Sequence, residues 1–175
     1  MNEGSAINAI TSFAEWSGIY ELMINPWVWP VFESIHFVGL SLLIGTVGLF
    51  DLRVMGLCPE IELRSLHRLV PFGVLGYLLN VTTGAMFFCT FPDQYLYNPA
   101  FQVKLAFMAV AGLNVLVFYT TTFAEIKTIT IGKVASIRAR TIAFVSLICW
   151  IGVITGGRLI TFYRPPYSWC FWCGW

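Results

Sequence analysis

Four long apolar blocks separated by short polar segments set the pattern of this chain. The first runs from Glu33 to Asp51 without any Asp, Glu, Lys or Arg between them, and its apolar positions reach back to Trp27. The second covers 69–92, the third 105–124, and the fourth 141–157 with an extension to Phe162. At about 1.5 Å per residue, each block with its outer turns is long enough to cross a hydrocarbon core of about 30 Å as a helix. None alternates polar and apolar positions over roughly ten residues, as a barrel strand would. The pattern predicts an all-α integral membrane four-helix bundle, with transmembrane helices over 27–51, 69–91, 100–123 and 140–162 in a single domain spanning 1–175.

Ahead of the first block, Ile7, Ile10, Phe13, Trp16, Tyr20 and Met23 recur near helical spacing, with Glu15 and Glu21 off that stripe. Residues 5–23 therefore read as an amphipathic helix lying at the membrane interface. Residues 1–25 carry Glu3, Glu15 and Glu21 but no Lys or Arg, and lack the apolar core of a cleavable signal, so the first spanning helix is expected to direct insertion. Pro26 and Pro30 mark the turn into that helix, where a missing amide is tolerated, and Cys58-Pro59 is expected to end it. The connections after helices one and three hold Arg53, Arg64, Arg68, Lys127, Lys133, Arg138 and Arg140, while the opposite side has only Lys104, Arg158 and Arg164. This bias places both termini outside the cytoplasm, and a bacterial inner membrane with periplasmic termini suits so compact a chain.

Composition sharpens the class. Of 175 residues, 58% are hydrophobic and only 11% charged, against the roughly 25% charged residues of soluble domains. A soluble enzyme and a disordered protein are thereby excluded, and a formal net charge of +1 leaves no basic footprint for nucleic acid.

Ionisable side chains at membrane depth are the default functional candidates. Glu33 and His36 share one face of helix one, Lys104 enters near the start of helix three, and Arg158 precedes the outer end of helix four. All four fall in one outer slab, where they could line a single polar pocket. Snorkelling of the two cations to the headgroups is the competing reading. His36 is open to three roles: a satisfied packing histidine, a ligand to haem iron or another metal, or a proton relay. If it binds one b-type haem, Lys104 and Arg158 are natural propionate partners. The second axial position would then be empty or filled by Met86, Met108 or another protein. His67 lies near the opposite surface between Arg64 and Arg68, too far in depth to pair with His36 on one iron, and reads as a solvated residue.

Small residues at Gly152 and Gly156, and at Ser41 and Gly45, read as helix-packing steps. Asn80, Thr82, Thr83 and Asn114 read as interhelical hydrogen bonders, and Asp51 with Arg53 as a paired interfacial couple. Cys58, Cys89 and Cys149 look like isolated fillers. Cys170 and Cys173 form a C-x-x-C without the following histidine that covalent haem needs, and a local disulfide is the leading reading, ahead of free thiols or a metal site. The tail at 164–175, with Trp169, Phe171, Trp172 and Trp175, fits either an aromatic interface belt or a docking surface for another subunit.

The stretches IHFVGLSLLIGTVGLFDLRVMGL at 35–57, RLVPFGVLGYLLNVTTGAMFF at 68–88, NPAFQVKLAFMAVAGLN at 98–114 and GRLITFY at 157–163 resemble an uncharacterised family of small four-helix bacterial inner-membrane proteins. That family is distantly similar to copper-resistance D and cytochrome b-like membrane proteins, in which bundle histidines bind haem or metal. The resemblance implies interest in His36, Arg53, Lys104 and Arg158. The functional expectation is a small integral subunit of a membrane redox assembly, with one b-type haem near the outer face. A cofactor-free anchoring subunit stands as the alternative, and a metal or small-solute transporter as the third.

Overall fold

The computed structural model describes residues 3–163, and no strand occurs among them. Four helical spans, Val28–Met55, Leu63–Thr90, Pro99–Thr121 and Ile137–Tyr163, are long and apolar enough to cross a membrane. The chain is thus a multi-pass membrane protein with an all-α four-helix architecture. Their antiparallel succession puts the start of the first span and the end of the fourth at one end of the bundle, called here the terminal end. The connections at 56–62 and 122–136 lie at the other, the loop end.

Two short helices, α1 (Glu3–Trp16) and α2 (Ile19–Met23), precede the spans. They replace the single helix expected over 5–23, because Gly18 takes a left-handed φ of 73° and breaks it. Both pieces lie on the second span, burying Ala14 and Met23. The first span consists of α3 (Val28–Leu43), a π turn (Ile44–Gly48) and α4 (Leu49–Met55). It continues past residue 51 and stops before Cys58-Pro59. Gly56 at φ 105° donates to the Arg53 carbonyl, and Leu57 donates to that of Leu52, the paired bonds that close a helix over a glycine. The second span joins α5 (Leu63–His67) to α6 (Val70–Thr90), with α7 (Pro92–Leu96) after it. The third is α8 (Pro99–Thr121), whose first amides at Ala100 and Phe101 are capped by Asn98 Oδ1. A short α9 (Phe123–Ile126) follows, then the fourth span, α10 (Ile137–Leu159), capped by Ser136 and ending in a 3-10 turn (Ile160–Tyr163).

The spans pack as two hairpins, α3 on α6 and α8 on α10. In a bilayer, close helix approach needs small residues rather than a hydrophobic drive. Gly76 supplies it in the first hairpin: a Cβ there would meet the Gly39 carbonyl oxygen and stand 2.8 Å from the Leu43 nitrogen. In the second, a Cβ at Gly152 would stand 2.6 Å from the Phe107 ring, so the glycine step expected on the fourth helix does mediate packing. The step expected at Ser41 and Gly45 does not. Gly45 faces open space, and the Ser41 hydroxyl donates to Phe37 in its own helix.

The π turn explains how the two hairpins join. One extra residue in a turn rotates the side-chain register by about 100°. Before it, α3 packs on α6; beyond it, α4 packs on α10. Gly73 meets this turn directly, since a Cβ there would lie 2.5 Å from Thr46 Oγ1. The hairpins are therefore drawn together at the loop end. Large apolar side chains such as Val38, Leu78, Leu113 and Ile151 stay exposed on the bundle surface, as a bilayer environment demands.

Arg53 fastens that end. Only 2% exposed, it donates through Nε to the Ile61 carbonyl at 2.6 Å and through Nη2 to that of Pro59 at 2.9 Å. Its guanidinium also reaches the Lys133 carbonyl at 3.4 Å, in the connection before the fourth span. The expected couple with Asp51 does not form. Asp51 is instead buried on α4, on a cavity wall it shares with Ser146 of α10. The reason is that only a guanidinium fork satisfies several loop carbonyls at once, and two residues of helix separate the two side chains by about 200°.

Arg53→Met should lower stability by about 2–3 kcal/mol, since it removes the buried donor shared by the carbonyls of Pro59, Ile61 and Lys133. Arg53→Lys should recover only part of that, having no fork. Thermal unfolding of the three proteins in one detergent checks the order.

Candidate functional site

A cavity of about 180 Å³ opens between the hairpins toward the terminal end. Its walls include Glu33, His36, Lys104 and Arg158, the four ionisable residues singled out by depth along the spans. The structure thus brings all four together from three helices. Trp29, Phe87, Tyr95 and Phe101 supply an aromatic lining, with the Trp29 ring 4.7 Å from that of Phe87 and tilted by 45° to it.

His36 is held by the second span. Its Nδ1 lies 2.7 Å from Thr83 Oγ1, and that hydroxyl is itself 2.7 Å from the Leu79 carbonyl. A hydroxyl has a single proton, which the carbonyl takes, so toward the ring Thr83 accepts. The network therefore assigns the proton of the neutral imidazole to Nδ1 and leaves a lone pair on Nε2. Phe87 holds the ring edge-on at 5.9 Å, and Asn80 Nδ2 donates to the His36 carbonyl at 3.2 Å. Gly84 faces the same ring, with the position of a Cβ 3.7 Å from Cε1, so the imidazole edge is not covered by a side chain there.

Lys104 reaches the cavity across Gly156 and Gly157. A Cβ at Gly156 would stand 3.1 Å from Lys104 Cβ, and one at Gly157 would stand 3.8 Å from Nζ. Two consecutive glycines on α10 therefore form the track along which the lysine stem lies. Asn98 fixes the neighbouring helix ends, donating through Nδ2 to the carbonyls of Ile160 at 3.0 Å and Tyr163 at 3.2 Å. Among the described residues, no hydrogen bond or ion pair engages the charged ends of Glu33, Lys104 or Arg158. Two cations, one carboxylate and one imidazole lone pair are consequently available to a guest.

His67 does not join them. It lies at the loop end against Phe123 at 4.9 Å and Phe50 at 5.9 Å, with the Tyr119 hydroxyl 3.4 Å from Nε2. The solvated histidine read from its charged neighbours is instead an aromatic-packed one. No cluster of three or more His, Cys, Asp or Glu suited to a metal ion occurs among the described residues. Cys170, Cys173, Trp169, Phe171, Trp172 and Trp175, with the tail that carries them, lie outside the described residues.

A b-type haem can be weighed against these walls. The donor chemistry suits it: an imidazole lone pair, two cations for propionates and aromatic sides. The room does not. Ligand sites run from about 300 to 1,000 Å³, and this cavity has about 180 Å³. Neither Met86 nor Met108 lines it, so neither of the two expected sulfurs is placed to complete an iron. The residues of this cavity do not fit an enclosed haem.

Comparison with family models, curated proteins and solved structures gives no match at all.

Thr83→Val removes the acceptor of His36 Nδ1 and should lower stability by about 1–2 kcal/mol. Thr82→Val, at an exposed neighbouring position, should change it little. Chemical unfolding in mixed micelles distinguishes the two.

Proposed function

We propose that this chain is a small integral membrane subunit that binds a small acidic molecule at the terminal end of its bundle. The single observation behind this reading is the convergence in one aromatic-walled cavity of Lys104, Arg158 and the His36 lone pair, none of them engaged by another of the described residues. The guest's carboxylate lies toward the two cations, where charge-assisted hydrogen bonds are strongest. A hydroxyl or N–H of the guest donates to His36 Nε2, and the aromatic walls take its apolar body. About 180 Å³ suits a guest of roughly six water volumes, at about 30 Å³ each.

Binding, rather than passage, is the reading favoured by what lies beneath. Leu43, Trp150 and Val153 belong to one buried apolar cluster between this cavity and the loop end. The excess of Lys and Arg in the loop-end connections supports a bacterial inner membrane with periplasmic termini, so that the guest arrives from the periplasm. The exposed apolar faces of the spans are available to lipid and to other subunits of a membrane assembly. Electron transfer through a haem on His36 is the second reading, favoured by the Nδ1-protonated ring and opposed by the room.

Benzoate serves as the probe, with neutral benzamide as its control. The purified chain should bind benzoate saturably at one site, with benzamide, Lys104→Met and Arg158→Met each weakening binding about tenfold. Equal binding of benzoate and benzamide would refute the acid site. A Soret band at one haem per chain, lost in His36→Ala, would establish the haem reading instead.

A further inference from the structure

A second cavity, of about 300 Å³, lies deeper in the bundle toward the loop end. It occupies the crevice between the second and third spans, which pack on the first and fourth respectively rather than on each other. Its walls are mostly apolar, but Asp51, His67, Tyr77, Asn114, Ser146 and Trp150 also line it. Some of these are already satisfied: Asn114 Nδ2 donates to the Ile142 carbonyl at 3.1 Å, and His67 Nε2 lies 3.4 Å from the Tyr119 hydroxyl.

Two buried atoms are not. Asp51 Oδ2 and Trp150 Nε1 have no hydrogen-bond partner among the described residues, although the two residues are only 6% and 7% exposed. A buried polar atom left unmatched in a low-dielectric interior is costly, so a pair of them on one cavity wall calls for a matching group. The two are complementary: the carboxylate oxygen accepts and the indole N–H donates. They also belong to one region of the wall. Trp150 stands one helical turn from Ser146 on α10, the helix against which α4 packs with Asp51, and all three line the same cavity.

One group satisfies both at once. A hydroxyl donates its proton to one neighbour and accepts from another, whereas an ether or ketone can only accept and an alkyl chain does neither. Apolar walls facing the bilayer add the second requirement, an apolar body. We infer that the crevice between the second and third spans is a binding site for an apolar alcohol or phenol taken from the bilayer. Its hydroxyl donates to Asp51 Oδ2 and accepts from Trp150 Nε1, while its body lies along the apolar wall. The site is separate from the cavity around His36, and neither depends on the other being filled.

The test uses the full chain in phosphatidylcholine nanodiscs, which supply no competing hydroxylated detergent. Equilibrium dialysis with radiolabelled 4-octylphenol should give saturable binding of one molecule per chain above empty nanodiscs. Its methyl ether, 4-octylanisole, keeps the apolar body and the acceptor but loses the donor, and should bind about tenfold more weakly. Asp51→Leu and Trp150→Phe should each weaken 4-octylphenol binding to a similar degree, and either variant alone suffices should the other fail to fold. Equal affinity for the phenol and its ether would overturn the hydroxyl-specific site. Absence of saturable binding would overturn it as well, leaving water as the group that bridges the two atoms.

Discussion

Two connections meet on one buried guanidinium, and the rest of the bundle depends on that constraint. A membrane interior gives helices no hydrophobic reason to associate, so something must fix which hairpin lies where. Arg53 does so by answering carbonyls from both loop-end connections, those of Pro59 and Ile61 on one side and Lys133 on the other. The amide of Gly132 adds a direct tie to the Pro59 carbonyl at 2.9 Å. With the hairpins fastened at this end, the upper half of the first span is committed to the second. The outer cavity then follows as the space left between hairpins that close on each other below.

The π turn and the glycines are the local means by which this is reached. A straight first span would present one face along its whole length and could not serve the second span above and the fourth below. The turn at Ile44–Gly48 changes the face midway, where Thr46 bonds the carbonyls of Leu42 at 2.7 Å and Leu43 at 3.3 Å. Beyond it Asp51 turns inward onto the cavity wall it shares with Ser146, and Arg53 toward the connections. Both cavities thus derive from one change of register.

Much of this was legible in the sequence, and the remainder was not for identifiable reasons. The four spans follow from block length, and the meeting of Glu33, His36, Lys104 and Arg158 follows from counting depth along antiparallel helices. Depth, however, says nothing about rotation. Thr83 is 47 residues from His36, and no local pattern distinguishes it from Thr82, which lies on the exposed side. An i, i+4 pair of small residues marks a possible groove without naming the helix that enters it, so Ser41 and Gly45 read as the step while Gly39, Gly73 and Gly76 make the contacts. The π turn has no sequence signature of its own, and so Asp51 and Arg53, two residues apart, read as a couple when their side chains diverge. The room around His36 is likewise a property of packed walls, which is why a haem fits the donor pattern better than it fits the cavity.

The protonation of His36 is the most direct measure of the account, because the Thr83 contact and the presented lone pair stand or fall together. The chain contains two histidines, so nitrogen NMR of the protein labelled in its imidazole rings, with a His67→Gln variant for assignment, reads the ring directly. The account requires His36 to be neutral, with its proton on Nδ1 and Nε2 unprotonated. A proton on Nε2, with Nδ1 as the bare nitrogen, would contradict it.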